Sequence, residues 1–208
     1  MTALPPASGF RFLPGHLDPD AQNILLAAVN GIVAAAPFDR FVMPNTGRPF
    51  SIDMSNAGPL GWVSDRSGYR YSPVHLKTGK PWPPIPEMLL ELWRGLTGYP
   101  HPPECCLINR YHGPSSRLGL HRDEDEDTFD APILSVSLGD TALFRLGGHR
   151  RSDPTRSFRV PSGTVMVFAG ASRLAYHGVD RILPGSSGLL PEGGRLNLTL
   201  RRVTRTGV

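Results

Sequence analysis

Two histidines and one aspartate, His121, Asp123 and His177, are the residues of this chain best suited to chemistry. Two imidazoles and one carboxylate are the ligand set of non-haem Fe(II) oxygenases, which leaves coordination positions open for a co-substrate and O2. His121 and Asp123 are two residues apart, and residues i and i+2 of a β-strand point to the same face. The spacing therefore predicts a strand that presents both side chains to one metal ion, with His177 supplied by a distant strand.

Two arginines near the end of the chain, Arg195 and Arg201, extend this interpretation. An Fe(II) oxygenase that uses 2-oxoglutarate has to hold a dianion, and arginine is always charged and binds carboxylates bidentately. The polar residues of this segment alternate with Leu196, Leu198 and Leu200, which is the pattern of a strand. We therefore expect one face of the strand to pack on a core and the other, cationic face to line a cavity that takes an anion.

Calcium is the alternative metal ion for the acidic segment. Asp123, Asp125 and Asp127 occupy alternate positions, as in an EF-hand loop, which also needs Gly at loop position 6 and Glu at position 12. Thr128 and Leu134 stand at those positions, so the calcium interpretation fails. A lone H-x-D pattern is common in unrelated proteins, and the iron assignment therefore depends on the segments around it.

The composition indicates one globular domain. The chain has 208 residues, of which 39% are hydrophobic and 19% charged, enough for a sizeable core. The net charge of +4 is compatible with a nucleic-acid partner but is weak support for one. The two cysteines, Cys105 and Cys106, are adjacent, which argues against a disulfide framework. We see no signal-peptide pattern and no apolar run of about 18 residues, so we expect a cytoplasmic monomer that does not contact a membrane.

Two helices are predicted before a series of strands. Asp18 and Pro19 form a helix start, because Asp caps the first turn and Pro is tolerated at the first helical position. The apolar positions that follow are spaced as in a helix, and they are Ile24, Leu25, Ala28, Val29, Ile32 and Val33. The second helix is predicted near residues 87–97.

From residue 105 onward the pattern is that of β-strands. Gly139 and Asp140 separate two apolar runs and predict a hairpin turn. The fold class is therefore α+β and mainly β. A double-stranded β-helix, or jelly roll, is one arrangement for about eight short strands, and other sandwiches fit the pattern equally well.

Several segments together resemble the AlkB family of Fe(II)/2-oxoglutarate-dependent nucleic-acid dealkylating dioxygenases, in particular its bacterial members. The core segments are residues 107–111 (LINRY), 121–126 (HRDEDE), 132–139 (PILSVSLG), 172–178 (SRLAYHG) and 195–201 (RLNLTLR). The segments that resemble the family's nucleotide-recognition lid are residues 54–56 (MSN), 60–62 (LGW) and 68–73 (GYRYSP). The resemblance runs from about residue 10 to 202 and implies a single domain over residues 1–208, with the lid at about 38–85 and a jelly-roll core at about 105–203, flanked by the N-terminal helices.

The resemblance also implies a set of cofactor ligands. Fe(II) is expected on the two histidines and the aspartate named first, with O2 as the second substrate. Arg201 is expected to pair with the distal carboxylate of 2-oxoglutarate. The remaining contacts to this co-substrate are assigned to Asn109, Tyr111, Arg195 and Asn197.

The substrate residues implied by the resemblance lie mostly in the lid. Trp62 and Tyr69 are expected to contact the damaged nucleotide, because aromatic rings stack on any base. Arg70 and Tyr71 are expected to shape the lid or to touch phosphate. Asp125 is a candidate for binding the exocyclic amino group or the positive charge of the base.

Two further substrate residues are implied outside the lid. Arg151 matches a family position near the substrate and lies in an arginine-rich stretch that could contact phosphates. Phe168 departs from the pattern, since it stands where similar bacterial members carry a tryptophan near the base pocket.

The function that the resemblance implies is oxidative dealkylation of N-alkylated bases, with release of formaldehyde, succinate and CO2. The expected lesions are 1-methyladenine and 3-methylcytosine, with etheno adducts as a further candidate, in single-stranded or double-stranded DNA and, as a second candidate, RNA. Their target atoms lie on the Watson–Crick edge, so the nucleotide has to be unpaired or flipped out. Two alternatives stay open, a 2-oxoglutarate-dependent hydroxylase that acts on a protein or small molecule, and a nucleic-acid-binding module without activity.

Overall fold

The computed structural model describes residues 8–205. Within that range most of the regular structure is β. In chain order the elements are β1 (Phe10–Leu13), α1 (Pro19–Ala35), β2 (Asp53–Ala57), β3 (Gly61–Asp65), β4 (Gly68–Ser72), α2 (Glu87–Thr97), β5 (Cys105–Tyr111), β6 (Leu118–His121), β7 (Ile133–Gly139), β8 (Thr141–Leu146), β9 (Arg156–Val160), β10 (Val165–Phe168), a short 3-10 turn (Gly170–Ser172), β11 (His177–Leu183) and β12 (Arg195–Arg201).

The strands form two sheets that face each other. The major sheet has the order β1-β10-β7-β12-β5-β2 and the minor sheet the order β6-β11-β8-β9, and neighbouring strands are antiparallel. Leu107 and Met166 of the major sheet pack with Phe144 and Val179 of the minor sheet in one apolar cluster. This is the double-stranded β-helix that was one of the expected arrangements, and the mainly β fold class is confirmed.

Both predicted helices cover the outer face of the major sheet. The side chain of Asp18 accepts a hydrogen bond from the backbone N–H of Ala21 (2.8 Å), which caps α1 as expected. Leu25 and Ile32 of α1 are buried and pack with the leucines of β12 in a second apolar cluster. Ile24 was predicted on the buried face but is 60% exposed, because the apolar stripe of this helix is narrower than the spacing suggested.

Helix α2 has the bounds that the sequence predicted. Leu89 and Trp93 are its buried residues and join the same cluster beneath the major sheet. The helix ends at Gly98, whose φ of 63° is the left-handed conformation that favours glycine. Among the described residues no helix is both long and apolar enough to cross a membrane.

The predicted hairpin at Gly139 and Asp140 is wrong. Strand β7 pairs with β10 and β12 in the major sheet, whereas β8 pairs with β9 and β11 in the minor sheet. The chain crosses between the sheets with Gly139 at a φ of 87°, and the Asp140 carboxylate stabilises the crossing by accepting hydrogen bonds from the backbone N–H groups of Ser186 (2.9 Å) and Gly194 (2.9 Å). A turn signal alone does not distinguish a hairpin from a crossing, and β7 is buried along its whole length between two partners.

The major sheet includes strands from before the predicted jelly-roll segment. Strands β1 and β2 lie outside residues 105–203, yet both are edge strands of the major sheet. Of the segment at 38–85, the β3–β4 hairpin forms a separate two-stranded sheet. We call this element the β3–β4 hairpin, because its position beside the open end of the two sheets is what bears on the site.

Candidate active site

A cavity of about 450 Å³ opens between the two sheets and is bordered by the β3–β4 hairpin. All the site residues predicted from the sequence line this cavity except Arg70 and Tyr71. The lining predicted from the sequence comprises Trp62, Tyr69, Asn109, Tyr111, His121, Asp123, Asp125, Arg151, Phe168, His177, Arg195, Asn197 and Arg201. The fold thus brings together residues that lie more than 130 positions apart in the chain.

The two histidines face each other across a pair of antiparallel strands. His121 is the last residue of β6 and His177 the first of β11; they are register partners, and their ring centroids are 4.5 Å apart. Asp123 lies two residues beyond the end of β6, so the expectation that one strand presents both His121 and Asp123 is wrong in detail. The Asp123 carboxylate nevertheless lies beside both rings. Its Oδ1 is 3.8 Å from Nε2 of His121, and its Oδ2 is 3.8 Å from Nε2 of His177. The three potential ligand atoms lie within 4.8 Å of one another.

Hydrogen bonds fix the orientation of both imidazoles. Nδ1–H of His121 donates to the carbonyl of Gly119 (2.9 Å), and Nδ1–H of His177 donates to the carbonyl of Ala175 (3.0 Å). A carbonyl can only accept, so Nδ1 carries a proton in both rings, and Nε2, the nitrogen turned toward Asp123, is the one left to bind a metal ion. This arrangement of a fixed tautomer with a free Nε2 is typical of metal-ligating histidines.

The protonation states also suit a metal site. Burial, together with the neighbouring charge of His121, lowers the pKa of His177 to about 4, so the ring is neutral near pH 7. Burial by itself would raise the pKa of Asp123, but Arg201 and the two histidines hold it well below the usual carboxyl range. The site therefore offers a neutral His177 imidazole and an ionised Asp123 carboxylate, forms that bind a divalent cation without first losing protons.

Aromatic rings enclose His177. The ring of Phe168 lies 5.2 Å from the imidazole, and that of Phe144 lies 5.8 Å from it, both in stacked geometry. Phe168, which replaces the tryptophan expected from the resemblance, thus lines the cavity and packs directly on a ligand residue. Phe144 was not identified from the sequence, because an aromatic residue in a strand is most often part of the core.

The polar face of β12 forms the wall of the cavity opposite the histidines. Arg195 is opposite Tyr111, and Asn197 is opposite Asn109, in the pairing of β12 with β5. Arg195 is 1% exposed, and its Nε donates to the hydroxyl of Ser137 (2.9 Å). Its Nη1 has no hydrogen-bond partner among the described residues. A buried guanidinium without a carboxylate costs free energy, so this position fits an anionic ligand.

Arg201, at the other end of β12, is already paired inside the protein. Its Nη2 donates to Oδ1 of Asp123 (2.8 Å), and its Nε lies 3.6 Å from Oε1 of Glu126. It is six positions beyond Arg195, which corresponds to roughly 20 Å along a strand. The structure therefore places Arg201 against a ligand residue, and this differs from its expected pairing with the distal carboxylate of 2-oxoglutarate.

An aromatic residue and a carboxylate meet at the mouth of the cavity. The indole N–H of Trp62 donates to Oδ2 of Asp125 (2.8 Å), and the indole stacks on Tyr69 at 5.5 Å. Tyr69 is 49% exposed and Trp62 is 9% exposed, so the pair reaches from solvent into the cavity. Burial raises the pKa of the Asp125 carboxyl, and the hydrogen bond from Trp62 opposes that shift.

Arg70 and Tyr71 lie outside the cavity. Arg70 is on the other face of β4 from Tyr69 and forms a bidentate pair with Asp65 of the same hairpin (2.9 and 2.7 Å). The hydroxyl of Tyr71 donates to the buried carboxylate of Glu126 (2.6 Å). The structure thus gives both residues contacts within the protein, and neither contributes to the cavity wall.

Arg151, which the sequence predicted near the substrate, lies at the exposed rim of the cavity. Its Nη1 donates a hydrogen bond to the carbonyl of Leu120 (2.7 Å).

Three further cavity residues were not predicted from the sequence. Met43, Phe50 and Met54 contribute apolar surface beside Trp62. The aromatic and apolar content of residues 38–85 was the available signal, but without a register it could not say which side chains face inward.

Comparison with known proteins agrees with this geometry. The model of the 2OG-Fe(II) oxygenase superfamily matches residues 9–201. The chain is 53% identical over 194 residues to the alpha-ketoglutarate-dependent dioxygenase AlkB homolog of Caulobacter vibrioides, covering 93% of this chain and 87% of the relative. It is 42% identical over 187 residues to the alpha-ketoglutarate-dependent dioxygenase AlkB of Escherichia coli, covering 88% of this chain and 85% of that relative.

A partial match and a solved structure extend the comparison. The DNA N(6)-methyladenine demethylase ALKBH1D of Arabidopsis thaliana is 40% identical over 109 residues, which is 48% of this chain and 24% of the relative. The structure of OsALKBH1 superposes with a TM-score of 0.82 at 28% identity and covers 97% of this chain and 99% of the other. The chain therefore belongs to the 2OG-Fe(II) oxygenase superfamily and, within it, to the AlkB alpha-ketoglutarate-dependent dioxygenases, whose cofactors are Fe(II), 2-oxoglutarate and O2.

Proposed function

We propose that this dioxygenase removes alkyl groups from N-alkylated bases in DNA, with RNA as a second candidate substrate. The proposed lesions are 1-methyladenine and 3-methylcytosine, and etheno adducts are a further candidate. The observation that carries the proposal is the Trp62–Asp125 hydrogen bond of 2.8 Å at the mouth of the cavity that holds the two histidines and Asp123. The indole of Trp62 offers a stacking surface to a flat cationic base, and Asp125 offers a carboxylate.

The proposed Fe(II) ligands are Nε2 of His121, Nε2 of His177 and the carboxylate of Asp123. When bound, Fe(II) with 2-oxoglutarate and O2 supplies the oxidant that hydroxylates the N-methyl group, so that the base loses formaldehyde while 2-oxoglutarate becomes succinate and CO2. The contribution of the chain is to orient these ligands. Arg201 holds the Asp123 carboxylate through Oδ1, and the carbonyls of Gly119 and Ala175 hold the rings.

For 2-oxoglutarate we assign the distal carboxylate to Arg195. Its buried guanidinium has a nitrogen without a partner in the described part of the chain, whereas Arg201 is paired with Asp123. Asn109 supports the same location, because its side-chain oxygen is also buried without a partner among the described residues. Tyr111 and Asn197 lie beside these groups on the paired strands and complete the proposed site.

The base is proposed to stack on Trp62 and Tyr69, which contributes about 1–3 kcal/mol per stacked base. The hydrogen bond from Trp62 uses Oδ2 of Asp125, and Oδ1 is the atom proposed to accept the exocyclic amino group or to face the cationic ring. Phe168 forms the apolar wall beside His177, and Arg151 at the exposed rim is proposed to contact a phosphate.

The target nucleotide has to leave the base stack to enter this cavity. Flipping costs a few kcal/mol and costs less for a damaged base that no longer pairs. Single-stranded DNA is therefore the expected favourable substrate, with double-stranded DNA accepted at that extra cost. We also propose that the protein acts in the cytoplasm and as a monomer. Both statements remain predictions from the sequence.

Formaldehyde release from a 3-methylcytosine oligonucleotide, with Fe(II), 2-oxoglutarate and ascorbate, tests the proposal. The wild type is expected to release formaldehyde and His177→Ala to release none. His101→Ala, which changes an exposed histidine outside the cavity, is the matched control and is expected to match the wild type. Succinate formation by the wild type without formaldehyde would contradict the proposed substrate and favour a hydroxylase that acts on a protein or small molecule.

A further inference from the structure

A buried ion pair lies behind the candidate metal ligands. Arg173 directly follows the short 3-10 turn, and Glu126 lies in the loop after Asp123. The Glu126 side chain is fully buried, and that of Arg173 is 3% exposed. Their closest atoms, Nη2 of Arg173 and Oε2 of Glu126, are 3.1 Å apart. Neither residue lines the cavity, so neither is available to touch the co-substrate or the base.

All three nitrogens of the Arg173 guanidinium donate to the loop that carries Asp123. Nη1 donates to the backbone carbonyl of Asp123 itself (2.8 Å), and Nε donates to the carbonyl of Ala131 (2.9 Å), while Nη2 pairs with Glu126. Arg173 therefore holds this loop at its beginning, its middle and its end. The planar fork of arginine can reach three acceptors in fixed directions, which a lysine ammonium cannot do.

The loop needs such a contact because the sheet does not position it. Strand β6 ends at His121, and the next strand, β7, begins at Ile133, so no strand ladder fixes the backbone of Asp123. Arg173 is four residues before His177 in the chain. Its contacts thus connect the segment that leads into one histidine ligand with the backbone of the carboxylate ligand.

The same pair reaches the β3–β4 hairpin. Oε1 of Glu126 accepts a hydrogen bond from the hydroxyl of Tyr71 (2.6 Å) on β4, and Nη1 of Arg201 lies 3.3 Å from that hydroxyl. The carboxylates of Asp123 and Glu126 therefore share Arg201 as a partner, while Arg173 contacts the Glu126 carboxylate and the backbone carbonyl of Asp123. This explains why the structure turns Tyr71 away from the cavity.

Fold stability alone is a weak reason to bury this pair. Desolvation of two ions costs several kcal/mol, and replacement of a buried pair by apolar residues is often neutral or stabilising. We infer that Arg173, anchored by Glu126, is a positioning residue for the metal site, which fixes Asp123 relative to His177 and so sets the affinity for the metal ion. The inference rests on the proposed Fe(II) ligands and adds a residue that acts on them through the backbone.

Binding of Co(II) to the metal-free protein tests the inference without catalysis. We would compare wild type, Arg173→Lys and Arg202→Lys by calorimetry and by the visible absorption of bound Co(II). Arg202 is a matched control, because it also pairs with a carboxylate, Glu104 (3.4 Å), and donates to a backbone carbonyl, that of Pro102 (3.3 Å), but contacts no metal ligand. Arg173→Lys is expected to raise the Kd for Co(II) about 10–100-fold and to change the absorption spectrum, while Arg202→Lys stays within about twofold of the wild type.

Each outcome decides the inference. A Kd for Arg173→Lys within about twofold of the wild type would overturn it, and a wild type that does not bind Co(II) would overturn the proposed metal site itself. If Arg173→Lys melts more than about 10 °C below the wild type, the double variant Arg173→Met with Glu126→Leu removes both buried charges and is expected to fold. Its Kd is expected to remain at least about tenfold above that of the wild type, and recovery of wild-type affinity would show that the pair serves the fold alone.

Discussion

At the scale of single residues, the two arginines of β12 differ in what surrounds them. Arg201 is paired with Asp123 and lies near Glu126, whereas Arg195 is also buried and has no carboxylate partner among residues 8–205. The R-x-N-x-T-x-R spacing identified both as site residues. It could not assign their roles, because these depend on which carboxylates the fold brings beside each guanidinium, and Glu126 comes from a loop whose path the sequence does not reveal.

Arg195→Met is expected to separate cofactor binding from stability. Loss of the buried cation should raise the KM for 2-oxoglutarate at least about 30-fold, since removing one partner of a buried charge pair costs about 2 kcal/mol or more. Without 2-oxoglutarate the variant should melt at or above the wild-type temperature, because an unpaired buried charge has been removed. Succinate formation at varied 2-oxoglutarate, with thermal melting in its presence and absence, measures both effects.

The control for this change is Arg145→Met, since Arg145 pairs with Asp180 and lies outside the cavity. Its KM for 2-oxoglutarate should equal that of the wild type. An Arg195→Met variant with a wild-type KM would refute the assignment of the distal carboxylate to Arg195.

Asp125→Asn is expected to discriminate between charged and neutral bases. Asparagine keeps an oxygen that can accept the hydrogen bond from Trp62, so the indole should stay in place, but the negative charge is lost. The kcat/KM for a 3-methylcytosine oligonucleotide, whose lesion is cationic, should fall about tenfold or more, because hydrogen bonds to charged groups contribute about 1.5–3 kcal/mol. The value for a neutral ethenoadenine lesion should fall less, and equal losses on both substrates would argue against a charge contact.

At the scale of secondary-structure elements, strand alternation was the most reliable guide. It placed Asn109 and Tyr111 on one face of β5 and the arginines on one face of β12, and both faces line the cavity. Helix α2 was also predicted, because its apolar spacing is a local signal. The crossing at Gly139 and the pairing of His121 with His177 were not, since they depend on which sheet each strand joins.

The junction between edge strand β2 and β5 should make stability depend on pH. Burial would raise the pKa of Asp53, but hydrogen bonds from Arg110, His112 and Arg40 lower it to about 2. The folded pKa is thus below the ordinary value of 3.8, so this carboxylate stabilises the fold above about pH 4, and the contribution disappears as the pH falls through about 2. Asp53→Asn is expected to lower the free energy of unfolding by about 1–2 kcal/mol at pH 7, after allowance for solvent screening.

Urea unfolding at pH 7 and near pH 2 measures this difference. The wild type and Asp53→Asn should converge at the lower pH. Asp65→Asn is the control, because Asp65 forms an exposed pair with Arg70 within one hairpin and such pairs contribute little. If Asp53→Asn lowered the free energy of unfolding by the same amount at both pH values, the charge of Asp53 would not be the source of the stabilisation.

At the scale of the whole molecule, the two sheets and the β3–β4 hairpin place three groups of residues around a common cavity. The two histidines and the Arg195 site lie on the sheets, Asp123 lies in the loop after β6, and the Trp62–Asp125 pair lies at the mouth. The double-stranded β-helix could be expected from strand number and from the family resemblance, but not from the pattern alone. The positions of β1 and β2 in the major sheet could not be predicted, because edge strands carry little hydrophobic pattern of their own.

The central claim is that oxidation and base binding occur in this common cavity, and the ratio of formaldehyde to succinate tests it most directly. Both products would be measured in the same reaction, with a 3-methylcytosine oligonucleotide, for wild type, Trp62→Phe and Trp62→Ala. The account predicts a ratio near one for the wild type, partial retention for Trp62→Phe, and succinate with little formaldehyde for Trp62→Ala, because 2-oxoglutarate is still consumed when the base is not held. A Trp62→Ala variant that keeps the wild-type rate and ratio would contradict it.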